Sequence, residues 1–456
     1  MQNPTARAGN DMTEGSIFSC LFRFMLPLLI GNMFQELYNL VDTWVVGNYV
    51  STEAFSAVGT VTPIINTLIG AFNGFSNGAG VVISQYYGAR NDEQVSYAIH
   101  TSMAIMLPGG VLFALIGVAM TPRMLHLMKT PAEVFPEASA YLTIYFSGII
   151  SLMIYNMGAG ILRSVGDSKR PFVFLLIGTA LNIILDLLFV IRLGLGVQGV
   201  AYATVIAQTV SAVLVILSLA RSSGAIRLHW RQLHSKSDVL KEIAIVGFPA
   251  AMQMAVTAFS NTIVQSYINA FGTDCMSGWT AYSKVDQLLF LPMKSLSMTT
   301  TTFVAQNLGC GRHERARKGV RISFAMTVGV TLIISGIVIF AAPEVVSAFN
   351  DKKEAVEYGT LFLRRLTPFF VFCCANQIYS GALRGTGNSR MPMLIMLFSF
   401  VVFRQVYLFV MANCIMNEII PIALCYPAGW IVCSILTLGY YTKHPITESI
   451  FLRKHS

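Results

Sequence analysis

Two acidic residues stand where acids are costly. Asp42 and Asp186 each lie inside a long apolar run. A charged side chain at mid-membrane costs roughly 2.5–3.5 kcal/mol on insertion scales, so such a residue is a functional candidate by default. Asp42 shares a helical face with three polar neighbours, because Gln35, Tyr38, Asn39 and Asp42 recur at i, i+3, i+4 and i+7. Asn182 and Asp186 are four residues apart and share a face in the same way. A low dielectric disfavours a charged carboxyl, and a second carboxyl close by disfavours it further. Two such groups could load and release protons as access to them alternates. The competing reading makes each Asp a structural hydrogen-bonding residue that ties helices together.

The elements that position these residues are spanning helices. A span needs about 20 mostly apolar residues. Twelve runs qualify, at roughly 17–47, 54–86, 96–120, 133–160, 171–192, 197–220, 240–271, 277–308, 318–342, 354–382, 391–413 and 419–441. Pro27, Pro63, Pro108, Pro249, Pro292 and Pro368 interrupt several of them, which a membrane bundle tolerates when neighbours satisfy the freed backbone groups. Composition agrees: 54% of the 456 residues are hydrophobic, 12% are charged, and mean hydropathy is +0.62. Typical soluble domains carry about 25% charged residues. The net charge of +9 is no sign of nucleic-acid binding, because the basic residues sit in short clusters between apolar runs. The loops after even-numbered spans hold sixteen Lys and Arg and the others five, so the even loops and both termini are expected on the cytoplasmic side. The polar first sixteen residues do not resemble a signal peptide.

An internal repeat organises the chain. Gln85, Gly88 and Glu93 match Gln306, Gly309 and Glu314, and Leu162, Arg163, Gly166, Ser168 and Pro171 match Leu383, Arg384, Gly387, Ser389 and Pro392, all at an offset of 221 residues. Two six-helix bundles follow, residues 1–220 and 240–456, joined by a basic linker at 221–239. An even number of helices per half orients both halves alike, related by a pseudo-two-fold axis along the membrane normal. The expected fold class is an all-α polytopic membrane protein. The repeat also serves as a control: Asp42 corresponds to Ile263 or Val264, and Asp186 to Tyr407. Shared architecture therefore does not demand the acidic pair.

NLVDTWVVG in the first span, GFSNGAGVVISQYYGAR at the second, LRSVGDSKRP after the fourth, LNIILD in the fifth and FVAQNLGCGRHERAR at the eighth resemble the multidrug and toxic compound extrusion (MATE) transporters across nearly the whole chain. The resemblance implies cation-driven export of drug-like, often cationic, compounds. It implies a cation- or proton-binding cluster at Asp42, Asp186 and Asn182, with Tyr141 and Thr204 as further members. The sodium-coupled branch carries acids in its seventh and tenth helices; FPAAMQMAVTAFSN and FFVFCCANQIYSG here have none. The pattern thus favours the DNA-damage-inducible F-like branch with proton coupling, although oxygen ligands at the N-half carboxylates could also serve sodium.

Other residues keep two readings. Gln35, Tyr38, Asn39, Met252, Met254, Lys284 and Met293 are candidates for a substrate cavity, methionine being flexible and polarizable; the alternative for each Met is apolar filler. Lys284, Asp286 and Lys294 either shape the field of a cavity or form structural ion pairs, and Arg404 is similar. Arg364 and Arg365 either snorkel or face the cavity. Glu36 lies on another face from Asp42. Gly74, Gly78 and Gly80 permit close helix packing. No phosphate loop, metalloprotease motif, nucleophile elbow or paired-cysteine motif occurs. The expectation is an antiporter, not an enzyme, without cofactor or bound metal. It acts as a monomer in the plasma (inner) membrane, with small organic molecules and the bilayer as its partners. A lipid-linked oligosaccharide flippase of the same superfamily and a sodium-coupled exporter are the alternatives.

Overall fold

A computed structural model describes residues 11–233, 235–349 and 352–446, the side chains of Thr43, Thr52, Phe55, Pro63 and Phe259 apart. Both termini and the Pro63 ring, on which expectations were placed, thus lie outside the described residues. Every regular element among the described residues is helical. Twelve helices follow in order. The first six are α1 (Ile17–Tyr49), α2 (Thr52–Gly88), α3 (Asp92–Leu127), α4 (Phe135–Ser147 continuing as Ile149–Ser164, bent by 48°), α5 (Lys169–Arg192) and α6 (Gly196–Arg221). The second six are α7 (Ser237–Asn269), α8 (Thr273–Gly309), α9 (His313–Phe340), α10 (Lys353–Leu366 and Phe370–Gly385, joined by a 3-10 turn at Thr367–Phe369), α11 (Arg390–Ile415) and α12 (Ile419–Lys443). The ends lie within a few residues of the hydrophobic runs. α3 extends furthest beyond its run, mostly at its C-terminal end; Asn91 caps its start by accepting the Gln94 N–H at 3.1 Å.

Among the described residues, eight helices are long and apolar enough to cross a membrane, and the bent α4 makes a ninth. The remaining three are α2, α8 and α10. Several hydroxyls of α8 are buried inside its unit and bonded there, as burial requires. Ser295, Thr299 and Thr300 of α8 each donate to the carbonyl four residues earlier, at 2.9, 2.8 and 2.7 Å.

The chain forms two compact units, one comprising Leu26–Gly247 and the other Met12–Met25 with Phe248–Ser456. The divide thus falls inside α7, after the 221–239 linker. Local packing explains it. Tyr86 donates to Glu242 at 2.7 Å, and a Cβ on Gly78 would come within 2.6 Å of the Gly247 backbone. The linker itself is folded onto its unit: Ile226 and Leu228 are buried, and the His229 N–H donates to His100 Nε2 at 3.0 Å. In the second unit, the Met12 N–H donates to Gln306 Oε1 at 3.2 Å, and Arg315 donates to the Gly15 and Glu14 carbonyls, both at 2.8 Å.

The repeat reappears in the internal geometry of each unit. Ser76 donates to the Asn156 carbonyl at 2.7 Å, and Ser297, 221 residues on, donates to that of Gln377 at 2.7 Å. These bonds join α2 to α4 and α8 to α10. The matched motifs after α4 and α10 are helix stops. Gly166 and Gly387 adopt φ of 88° and 91°. The next N–H returns to the Leu162 or Leu383 carbonyl, at 3.0 and 3.1 Å. Asp167 and Asn388 then accept from the first turn of the following helix. Only glycine takes that backbone conformation without penalty. Gly166→Ala and Gly387→Ala are each expected to lose about 1–2 kcal/mol, read as a lowered thermal unfolding midpoint in detergent.

Candidate functional site

The polar face of α1 and the polar end of α5 meet inside the first unit. Asp42 is 7% exposed and Asp186 is fully buried. Asp186 ends the regular α-helical part of α5, and a π-helical turn at Leu187–Arg192 follows at once. Such turns redirect side chains and are frequent at functional sites. Asn182, one turn earlier, stands between the two acids. With its amide nitrogen turned towards them it donates to Asp42 Oδ1 at 3.1 Å and to Asp186 Oδ2 at 3.2 Å. The two carboxyl groups are also within hydrogen-bonding reach of each other. Both groups are acceptors when ionised, so this contact is favourable only with a proton between them. Asp186 Oδ1 is buried and has no hydrogen-bond partner, leaving an acceptor that a proton or a small cation would occupy.

Hydroxyl groups complete the cluster. The Tyr38 phenol lies within hydrogen-bonding reach of Asp42. Thr204 of α6 lies within hydrogen-bonding reach of both Tyr38 and Tyr141 and donates to the Val200 carbonyl at 3.0 Å. Tyr141 lies within electrostatic reach of both acids and stacks on Tyr145 with ring centroids 6.4 Å apart. Asp42, Asp186, Asn182, Tyr141 and Thr204, which the family resemblance assembled, therefore sit together. Tyr38 belongs to the same cluster, although its helical stripe pointed to a substrate cavity. Tyr145 was not anticipated. Its signal was its spacing of four from Tyr141, which puts both rings on one face of α4.

The remaining candidates scatter. On α1, Gln35 is half-buried, Asn39 exposed and Glu36 half-buried. Met252, Met254 and Lys284 are exposed. Met293 corrects the cavity assignment: it is 0% exposed and belongs to the aromatic and aliphatic core of the second unit, where its flexible side chain fills space. Arg364 and Arg365 are exposed, whereas Arg404 is 2% exposed. Gly78 makes the closest backbone approach of the α2 glycines, while a Cβ on Gly80 would meet only the Gly160 carbonyl at 3.7 Å. In the second unit Tyr407, the counterpart of Asp186, donates to the Pro421 carbonyl at 3.1 Å, and Val264 is buried apolar core. No group of three or more His, Cys, Asp or Glu side chains suited to a metal occurs among the described residues.

The model of the MatE family matches residues 27–188 and 249–410. The chain belongs to the MatE family. The two matched stretches are the two halves of the repeat. Among curated proteins it is similar to the probable multidrug resistance protein YoeA of Bacillus subtilis, 28% identical over 443 residues and covering 94% of each chain. It is also similar to the probable multidrug resistance protein NorM of Thermotoga maritima, 28% identical over 86% of this chain and 85% of that one. These relatives are named for drug resistance, not as enzymes. Among solved structures, a MOP superfamily transporter from Pyrococcus furiosus superposes with a TM-score of 0.91 at 22% identity, over 96% of this chain and 98% of that one; this likeness shows that the MatE chain shares its twelve-helix fold.

The Asn182 bridge gives a direct test of the geometry. Asn182→Leu keeps the branched four-atom outline of the side chain but removes the amide from two buried carboxyl groups. A hydrogen bond to a charged group contributes about 1.5–3 kcal/mol. Gradient-driven efflux from vesicles is expected to fall about tenfold to a hundredfold, with insertion unchanged.

Proposed function

We propose that this chain is a secondary antiporter that exports organic, amphipathic cationic, drug-like compounds in exchange for protons. The observation that carries the reading is the buried Asp42–Asn182–Asp186 contact in the first unit. A carboxyl pair that shares a proton binds a second one, or an organic cation, at the cost of rearranging its partners. Asn182, Tyr38 and Thr204 supply the alternative hydrogen bonds for each state. Protonation from outside favours substrate release, and deprotonation towards the cytoplasm resets the pair. A ligand shifts a conformational equilibrium only through differential affinity for its states, so the solvation or partners of the two acids must differ between them.

The two halves alternate access as bundles, consistent with the repeat. The protein sits in the plasma (inner) membrane with both termini cytoplasmic, as the distribution of basic residues supports. It works as a monomer without a cofactor and falls in the DNA-damage-inducible F-like branch, in keeping with the absence of acids from the middle of α7 and from the spanning part of α10. Sodium is the second reading, supported by the unpartnered carboxyl oxygen Asp186 Oδ1, a hard donor suited to such a cation.

The deciding experiment is reconstitution into liposomes with an imposed proton or sodium gradient and a panel of fluorescent cations. A pH gradient is expected to drive dye movement, and a sodium gradient at equal pH is not. Sodium-driven transport indifferent to pH would overturn proton coupling, and indifference to both gradients would overturn the antiporter reading.

A further inference from the structure

In the first unit α1 and α5 bring Asp42, Asn182 and Asp186 together. Their counterparts in the second unit are α7 and α11. The repeat offset of 221 or 222 sets Ser260 of α7 against Asn39 or Tyr38, and Arg404 of α11 against Ile183, beside Asn182. Ser260 and Arg404 meet as well. A terminal nitrogen of Arg404 donates to Ser260 Oγ and, at 2.9 Å, to Asn261 Oδ1. Ser260 gives its own proton to the Phe400 carbonyl and accepts a further N–H from Gln405 at 2.8 Å. Equivalent helix pairs thus carry acids in one unit and a cation in the other.

Arg404 is 2% exposed, and a guanidinium keeps its proton at any accessible pH. Among the described residues no carboxylate stands within ion-pairing distance of it. Its partners Ser260 and Asn261 are neutral. The guanidinium centre lies 5.7 Å from the Phe400 ring centroid and 4.8 Å from that of Tyr426, and the Cys425 thiol is within electrostatic reach. The Nε–H is buried with no acceptor. The structural reading makes Arg404 a tie between α7 and α11. A neutral donor is enough for that tie, and Gln405 already supplies one to the same Ser260. Burying a lone charge costs far more than burying an amide, and aromatic faces offset only part of the difference. An uncancelled charge and an unused donor on one side chain both call for an anion. Asn261 is exposed, so the cluster borders accessible space.

We infer that the α7–α11 contact of the second unit is an anion-binding site. Arg404 is its binding residue, and its ligand is a small monovalent anion, either chloride or the carboxylate group of an organic molecule. A guanidinium with an open N–H edge suits both, and flanking rings favour an aromatic acid. The site is separate from Asp42 and Asp186 and does not depend on the cation exchange proposed there.

Thermal unfolding of the purified full chain in detergent tests it, with sodium gluconate replaced by sodium chloride or sodium benzoate at constant ionic strength. The native midpoint is expected to rise saturably by about 2–4 °C. A rise with chloride alone identifies a free inorganic ion; a rise with benzoate at lower concentration than chloride identifies a carboxylate. Asn261→Asp places a carboxylate where the guanidinium already bonds. It is expected to raise the midpoint in gluconate and to abolish the response to both anions. Arg404→Gln, where it folds, is expected to lose the response too. A native midpoint indifferent to both anions would overturn the inference, and so would an undiminished rise in Asn261→Asp. Neither arm depends on Arg404→Gln folding or on any ion gradient.

Discussion

Asp186→Asn is expected to abolish proton-driven efflux while leaving the protein inserted and folded. The amide has nearly the shape of a neutral carboxylic acid. It can still meet Asn182 and Asp42, which lie within hydrogen-bonding reach of Asp186 in the first unit. What it cannot do is gain or lose a proton. The variant therefore resembles a permanently loaded site. A step that depends on the difference between two protonation states loses that difference, so dye efflux driven by a pH gradient should fall to the passive leak, on the order of a hundredfold. Asp42→Asn should behave alike, because the two carboxyls share one hydrogen-bonded arrangement and act as a unit. The double variant should be no worse than either single one. Efflux rates in vesicles, with unfolding midpoints to confirm folding, give the answer. Retained gradient-dependent transport in Asp186→Asn would remove the acid from the coupling mechanism.

Gly78→Val is expected to have the largest effect on stability. A Cβ there would stand 2.6 Å from both Cα and N of Gly247 and 2.8 Å from the Ile243 carbonyl oxygen. All three are backbone atoms of α7 and cannot swing aside as a side chain does. Two helices must separate, and the loss should be at least about 3 kcal/mol, the upper end for overpacking a tight contact. Gly80→Ala, two residues along the same helix, is the control. Its Cβ meets an ordinary contact at 3.7 Å, and alanine favours a helix over glycine by roughly 0.5–1 kcal/mol. The expected pattern is a collapsed yield and lowered unfolding midpoint for Gly78→Val, and an unchanged or raised midpoint for Gly80→Ala. Equal effects of the two would mean that the close approach carries no energetic weight.

Hydropathy marked the twelve helices to within a few residues because the apolar length of a span is set by the bilayer itself. Where it was least direct, at α8, several polar residues proved to be inward hydroxyls bonded within their unit, such as Ser297 to Gln377. The repeat was legible because a helix stop has strict local chemistry: Gly166 and Gly387 answer the same backbone requirement. Asp42 and Asp186 stood out because isolated charge in an apolar run has few structural excuses. Local spacing could not say that α1 and α5 bring them together, nor that Asn182 lies between them. Those are contacts across 140 residues or more, decided by helix packing. The same limit explains Met293, whose burial depends on which face α8 turns inward, and Arg404, whose partners Ser260 and Asn261 come from a different helix. The sequence by itself determined which segments cross the membrane, where they stop and which ionisable groups lie among them, since each follows from short-range chemistry. Only tertiary structure decided which of those groups meet, because that depends on the rotation of whole helices against one another.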